Sequence, residues 1–278
     1  MFISKNQFAK VLSYFVVCLL LVAVCLSLFG CQSNIDANKR RHINSINHRG
    51  YGDAPENTLS AFRLSKEMGF DFVECDVRFT KDNIPVLLHD GSVGRTSNGH
   101  GKISDLTLDE VRQFDFGSWK SKLYAGELIP TFEEFVALCV ELQLHPYVEI
   151  KNGVTLQQTQ RLVDIVDKTD LVVTWIGRDK NVLTLISQLR TGDRIGVLTE
   201  TITYDTLRYL SNLSKTSDVF VDCFYATLTK SHINRAKLYK IPLEVWTVNS
   251  RSIITNINPY ITGVTSDYVN AQELFNTL

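Results

Sequence analysis

The chain runs to 278 residues and carries a formal net charge of −1. That length suits one domain of roughly 250 residues with a short segment to spare. Hydrophobic residues make up 44% and charged residues 21%, so a packed core is available and a disordered chain is excluded. The near-zero charge balance argues against a protein that grips nucleic acid through a basic stripe. A small phosphorylated ligand needs only a local positive site.

The first 31 residues stand apart. Lys5 and Lys10 make a positive start, Val11 to Phe29 is apolar apart from Ser13 and Ser27, and Leu28-Phe29-Gly30-Cys31 ends the run. Residues 1–31 resemble a bacterial lipoprotein signal peptide, with Cys31 as the residue lipidated after cleavage; Phe29 stands where such signals usually carry a smaller residue. The alternative is an uncleaved helical anchor, since the run approaches the roughly 20 residues that span a bilayer. Either reading tethers the rest of the chain to a bacterial membrane on its extracytoplasmic side. Residues 32–42 read as a polar tether. Cys75, Cys139 and Cys223 lack the paired spacing of a zinc site and are expected to be buried free thiols, a disulfide between two of them being the alternative.

From Ile43 onward, short apolar runs alternate with amphipathic stretches, the pattern of βα units and a parallel sheet. Strands are predicted at Ile43–Asn47, Phe72–Val77, Pro85–His89, Pro146–Ile150, Leu171–Thr174, Arg194–Leu198, Val219–Val221 and Leu243–Thr247. The first helix is predicted to start at Asn57 as N-cap and to end near Gly69. Others are predicted over Thr131–Leu142, Leu156–Val166, Asn181–Leu189, Asp205–Leu213 and His232–Tyr239. The α/β class and the count of strands point to a TIM-like (β/α)8 barrel over residues 43–278, with a small insertion after strand 3 at about residues 91–128. That stretch is far too long for a simple βα loop.

Charged residues gather at the predicted strand ends: His48-Arg49, Glu74 and Asp76, His89-Asp90, Glu149 with Lys151, and Trp246. In a barrel these C-terminal ends ring one mouth. Glu74 and Asp76 are two apart on a strand and so point the same way. Side by side they repel unless a proton or cation intervenes. With Glu149 as third ligand, an all-oxygen set favours a hard divalent ion, Mg²⁺ or Ca²⁺; the alternative is a solvated strand end with ordinary salt bridges. His48 and His89 suit proton transfer near neutrality. Arg49 offers a planar fork to phosphate oxygens and Lys151 a point charge, unless both merely balance the carboxylates. Trp246 either packs in the barrel core or lays its face against a small polyol.

These residues carry a resemblance to the glycerophosphodiester phosphodiesterase family. The matching runs are His48-Arg49-Gly50, Pro55-Glu56-Asn57-Thr58, Glu74-Cys75-Asp76-Val77, Pro85-Val86-Leu87-Leu88-His89-Asp90, Arg95-Thr96, Gly101-Lys102-Ile103, Phe116-Gly117-Ser118-Trp119, Ile129-Pro130-Thr131-Phe132-Glu133-Glu134, Glu149-Ile150-Lys151 and Val245-Trp246-Thr247-Val248-Asn249. Residues 154 to 240 contribute little signature. Gly263 to Tyr268 resembles the family's closing motif but lacks its usual Thr-Asp and following Pro.

The resemblance implies a (β/α)8 barrel that cleaves glycerophosphodiesters to glycerol 3-phosphate and an alcohol. It makes Glu74, Asp76 and Glu149 metal ligands, His48 and His89 the acid–base pair, Arg49 and Lys151 phosphate binders, and Trp246 a wall against glycerol. The nucleophile is left open between a glycerol hydroxyl, giving a cyclic phosphate, and water. Two rivals stand beside this reading. One is a phospholipase D-like hydrolase of lysophospholipids or sphingomyelin, with an apolar groove formed by Phe116, Trp119 and Tyr124. The other is a non-catalytic binding lipoprotein. The head-group alcohol, the choice of ion and the oligomeric state are not legible in the sequence.

Overall fold

A computed structural model describes residues 42–277. The lipoprotein-type segment at 1–31, with Cys31, and all but the last residue of the tether at 32–42 lie outside the described residues. Among the described residues, no helix is long and apolar enough to cross a membrane. Residues 43–274 pack as one unit.

Among the described residues nine strands form, β1 Asn44–Asn47, β2 Phe72–Phe79, β3 Pro85–Leu87, β4 His145–Ile150, β5 Thr174–Gly177, β6 Arg194–Thr199, β7 Asp218–Phe224, β8 Leu243–Trp246 and β9 Ile261–Ser266. Eight of them pair in parallel in the order β1-β9-β8-β7-β6-β5-β4-β2, and β1 pairs with β2 to close the barrel. The TIM-like architecture holds, but its staves differ from the predicted eight. β3 pairs antiparallel with β2 and lies outside the barrel, because only a short turn at Thr80–Ile84 joins the two and such a link cannot carry a parallel crossover. The eighth stave is β9, whose β-branched residues are interrupted by Gly263 and polar groups and so lack the apolar run that marked the other strands. β5 starts at Thr174, where the prediction ended, since the apolar run continues unbroken through Trp175 and Ile176.

Helices connect the staves, with α2 inside the insertion and α9 following the last stave: α1 Leu59–Glu67, α2 Leu108–Val111, α3 Phe132–Leu142, α4 Leu156–Val166, α5 Lys180–Leu189, α6 Tyr204–Leu213, α7 Lys230–Tyr239, α8 Arg251–Thr255 and α9 Ala271–Asn276. Their starts are set locally. Thr131 with Glu134 and Thr155 with Gln158 form reciprocal capping boxes at the starts of α3 and α4, each cap worth about 1 kcal/mol. The N-cap of α1 is Thr58, which accepts from the Ala61 N–H, and not Asn57 as predicted. Cys75, Cys139 and Cys223 are buried free thiols.

The barrel interior is packed in layers. At the bottom, Arg194 Nη2 lies 2.9 Å from Glu244 Oε1 and Arg194 Nη1 donates to the Tyr147 hydroxyl at 2.7 Å. Asn44 donates to both Glu244 and Tyr147. Above lie Ile46, Tyr147, Ile176, Leu198 and Phe220, which give the mouth a solid floor. Two glycines make room for this filling: a Cβ on Gly263 would meet the Glu244 carboxyl carbon at 2.4 Å, and one on Gly196 the Phe220 ring at 2.3 Å.

The insertion has its own small core of Val93, Ile103, Val111 and Phe116 against Val86, Leu88 and Ile129. Phe116 is therefore 4% exposed and does not form the expected apolar groove. Trp119 is exposed and lines a different cavity, together with Tyr51 and Tyr268. Because Phe220 is fully enclosed, Gly196→Ala is expected to cost about 1–3 kcal/mol through overpacking. A urea midpoint lowered at constant slope would register it; an unchanged midpoint would mean the ring can move aside.

Candidate active site

The mouth of the barrel gathers the predicted residues into one cavity of about 140 Å³, lined among others by His48, Arg49, Glu74, His89, Glu149, Lys151 and Trp246. Each arrives by a different local route. β1 ends at Asn47, and Arg49 takes a left-handed conformation at φ 55° that turns the chain across the mouth. The turn is tied down twice: the Arg49 N–H donates to Glu74 Oε2 at 3.0 Å, and the Arg49 carbonyl accepts from the Asn57 N–H at 2.9 Å. β2 carries Glu74 and Asp76 on its inner side and runs on past them to Phe79 before turning back. The return strand β3 brings the chain level with Asp76 again, where the Leu88 N–H donates to the Asp76 carbonyl at 2.9 Å. The hairpin thus delivers His89 to the mouth from outside the barrel.

Ligand oxygens of Glu74, Asp76 and Glu149 lie within 4.8 Å of one another. Asp76 is wholly buried, and Asn57 clamps it: Asn57 Nδ2 donates to Asp76 Oδ2 at 2.7 Å while the Asp76 N–H donates to Asn57 Oδ1 at 3.1 Å. Asn57, expected to be a helix cap, is instead the support of an acidic side chain. Arg49 Nε stands 3.1 Å from Asp76 Oδ2, and Lys151 Nζ bridges Asp76 Oδ1 at 2.6 Å and Glu149 Oε1 at 2.7 Å. Both cations therefore balance carboxylates in this arrangement.

The charges are strongly coupled. Burial raises the Glu74 and Glu149 carboxyls above the usual range, and the neighbouring acids add to it. Asp76 is held well below that range: burial opposes its charge, but Lys151, Arg49 and His89 outweigh it. Three acids with two cations in direct contact cannot all be ionised cheaply without further positive charge. Asp76 Oδ1 is buried against the Lys151 ammonium, which it shares with Glu149. An all-oxygen donor set of three acids crowded within 4.8 Å fits a hard divalent cation.

Both histidines are oriented in the same way. His48 Nδ1 lies 2.7 Å from Asp267 Oδ1, and His89 Nδ1 lies 2.7 Å from Asp90 Oδ1. Each imidazole uses Nδ1 on a carboxylate while its ring lines the cavity. Burial lowers the pKa of His89; Asp76 raises it, and Lys151 and Arg49 lower it further. The orienting acids are themselves held. Asn249 donates to Asp267 Oδ2 at 2.6 Å, and Arg95 Nε donates to Asp90 Oδ2 at 2.6 Å. Hydrogen bonds from Arg95 hold the Asp90 carboxyl down at about 2. Arg95 also grips Glu56 through both terminal nitrogens, and Glu56 accepts from Arg49.

Trp246 is half-buried and lines the cavity, its ring tilted at 40° to that of Phe224 with centres 4.9 Å apart and the Arg178 guanidinium 5.8 Å from its ring centre. Four supporting residues escaped the sequence reading: Asp90, Asp222, Asn249 and Asp267. Asp90 adjoins a predicted catalytic histidine, and Asn249 and Asp267 fall within motifs that were noted, so a signal existed. Asp222 lay one residue beyond a predicted strand end.

A model of the glycerophosphoryl diester phosphodiesterase family matches residues 48–271. The chain belongs to that family. Over 112 residues it is 42% identical to a glycerophosphodiester phosphodiesterase of Caldanaerobacter subterraneus subsp. tengcongensis, a match covering 40% of this chain and 46% of the relative. Over 125 residues it is 41% identical to human glycerophosphodiester phosphodiesterase 1, covering 44% of this chain and 38% of the relative. The chain thus spans less than half the length of these curated relatives. Solved structures cover more. An Oleispira antarctica phosphodiesterase, solved in complex with the product sn-glycerol-3-phosphate, superposes with a TM-score of 0.76 at 27% identity, covering 83% of this chain and 94% of that one. A Thermotoga maritima glycerophosphodiester phosphodiesterase gives 0.66 at 25% identity, covering 86% and 99%.

Proposed function

We propose that this protein hydrolyses glycerophosphodiesters, releasing sn-glycerol 3-phosphate and an alcohol. The observation that carries the reading is a pair of imidazoles, each held through Nδ1 by its own aspartate, beside a cluster of three carboxylates in one cavity. The family membership and the Oleispira antarctica relative's bound product give the substrate class. A non-catalytic binder would be expected to have lost one of these groups, and all are present.

Glu74, Asp76 and Glu149 would hold one divalent cation, Mg²⁺ or Ca²⁺, which would supply Lewis-acid stabilisation of charge on the phosphoryl oxygens. With that charge balancing the acids, Arg49 and Lys151 have donors for the phosphate. The glycerol half takes the inner cavity, against the face of Trp246. A second cavity lies between the mouth and the insertion, lined by Arg49, Trp119, Lys120 and Tyr268, and it takes the alcohol.

His48 lines both cavities, whereas His89 lines the inner one and not the outer. That placement supports His48 as the acid that protonates the departing alkoxide as its bond to phosphorus breaks. His89 is then the base that takes the proton from the nucleophile, a glycerol hydroxyl or a water, as the new oxygen–phosphorus bond forms. Where the hydroxyl attacks, water then opens the cyclic phosphate, His48 taking the water's proton and His89 returning one to the leaving glycerol oxygen. Asp267 and Asp90 keep Nε2 of each ring available for these transfers. The N-terminal reading joins this as a proposal: Cys31 is acylated and tethers the enzyme to the outer side of a bacterial membrane.

Three outcomes follow. Glycerophosphocholine turnover is expected to stop in EDTA and return with Mg²⁺ or Ca²⁺; full activity in chelator would end the metal reading. His48→Ala and His89→Ala should each lose about 10²–10⁴-fold with an alkyl leaving group. A nitrophenyl ester, whose leaving group needs no acid, should rescue His48→Ala and not His89→Ala; the opposite pattern would exchange their roles. Cells fed labelled palmitate should label the wild-type protein and not Cys31→Ser, and equal labelling would remove Cys31 as the lipid site.

A further inference from the structure

Asp222 is an acidic residue that the reaction above does not use. It sits on β7, whose inner face reads Phe220, Asp222, Phe224 from floor to mouth. It is 2% exposed, and its Oδ1 is buried with no hydrogen-bond partner among the described residues. Burial, then Glu244 and Glu149, pushes its carboxyl well above the usual range. Arg194 and Arg178 contribute opposing charge, but Arg194 donates to Glu244 and Tyr147 in the layer below and Arg178 donates to Glu200. A buried carboxyl oxygen left unpaired is costly, and native proteins rarely tolerate that without a partner supplied from elsewhere.

That partner has one place to come from. Asp222 lines the inner cavity together with Trp246, Ile176 and Leu198. The Trp246 indole N–H donates to the Asp222 backbone carbonyl at 3.3 Å, so the aromatic wall and the carboxyl are set by the same residue. Below them the layer of Ile46, Tyr147, Ile176 and Phe220 closes the barrel, leaving no path onward. A ligand group reaching Asp222 must therefore be small and end there, and a hydroxyl suits it. A hydroxyl both donates and accepts, so it satisfies the carboxyl whether or not the carboxyl holds a proton.

We propose that Asp222 reads the terminal hydroxyl of the glycerol half, making it a specificity-determining residue that selects fully deacylated substrates over those whose glycerol bears an acyl chain. This rests on the phosphodiesterase reading and deepens it: the closed floor excludes a chain, and the buried carboxyl penalises any analogue that cannot offer a hydroxyl. Sites built to hydrogen-bond a substrate hydroxyl discriminate strongly against analogues that lack it, because the protein group is then left unpaired.

The test compares kcat/KM for glycerophosphocholine, its 1-deoxy analogue (which keeps the 2-hydroxyl) and 1-acyl-lysophosphatidylcholine, with a divalent cation present. The wild type is expected to favour the first over the other two by at least about tenfold, a discrimination of 1.4 kcal/mol or more. Asp222→Asn should keep the preference over the deoxy analogue, and Asp222→Ala should bring that ratio towards one, chiefly by losing rate on the hydroxylated substrate. A purely structural role would lower both substrates together and leave the ratio unmoved. Equal wild-type turnover of the hydroxylated and deoxy compounds overturns the inference whether or not Asp222→Ala folds, since water rather than substrate would then satisfy the carboxyl. Failure of the wild type to cleave any of the three defeats the phosphodiesterase reading itself, a separate result.

Discussion

Repulsion among Glu74, Asp76 and Glu149 governs the mouth of this barrel. Three acids brought within 4.8 Å in a buried place oppose folding unless cations meet them. The chain supplies two, Arg49 and Lys151, both held close to Asp76. Much of the surrounding structure makes that arrangement possible. Arg49 adopts a positive φ that a non-glycine residue avoids, and the hydrogen bonds to Glu74 and from Asn57 hold it there. Strain of this kind persists where the surroundings over-determine it, commonly at a functional site.

A second device couples the mouth to the insertion. Arg49, Glu56, Arg95 and Asp90 form a continuous chain of ion pairs ending on His89. Arg95 is 45% exposed, so its pairs add little to stability. Their value is geometric, because Asp90 sets the rotation of the His89 ring and Arg95 fixes Asp90. His48 is served differently, through Asp267 on the segment after β9 and Asn249 after β8. The two imidazoles are thus anchored by parts of the chain far apart in sequence, one through Asp90 and Arg95 at the start of the insertion and one at the closing seam of the barrel.

Much of this was legible without coordinates. The two-residue spacing of Glu74 and Asp76 sets their common face, and the βα alternation gives the architecture. The chemistry-bearing residues cluster at strand ends because that is where a barrel exposes them. What was misread has local causes. β3 has the composition of a barrel strand, yet the shortness of its link to β2 makes it a hairpin arm. β9 lacks a continuous apolar run, being broken by Gly263 and threonines, but completes the barrel between β8 and β1. Asn57 has the chemistry of a helix cap, and its neighbour Thr58 takes that task while Asn57 turns to Asp76.

The sequence by itself determined the fold class, the acidic cluster and the pair of histidines, because these follow from periodicity, spacing and residue chemistry along short stretches. Tertiary structure alone decided which acid orients which imidazole, that Lys151 and Arg49 spend their charge on carboxylates, and that Asp222 lines the cavity with one oxygen unpaired among the described residues. Those facts depend on residues up to 219 positions apart, as with His48 and Asp267. Closure of the barrel brings such residues together, and no local pattern encodes that encounter.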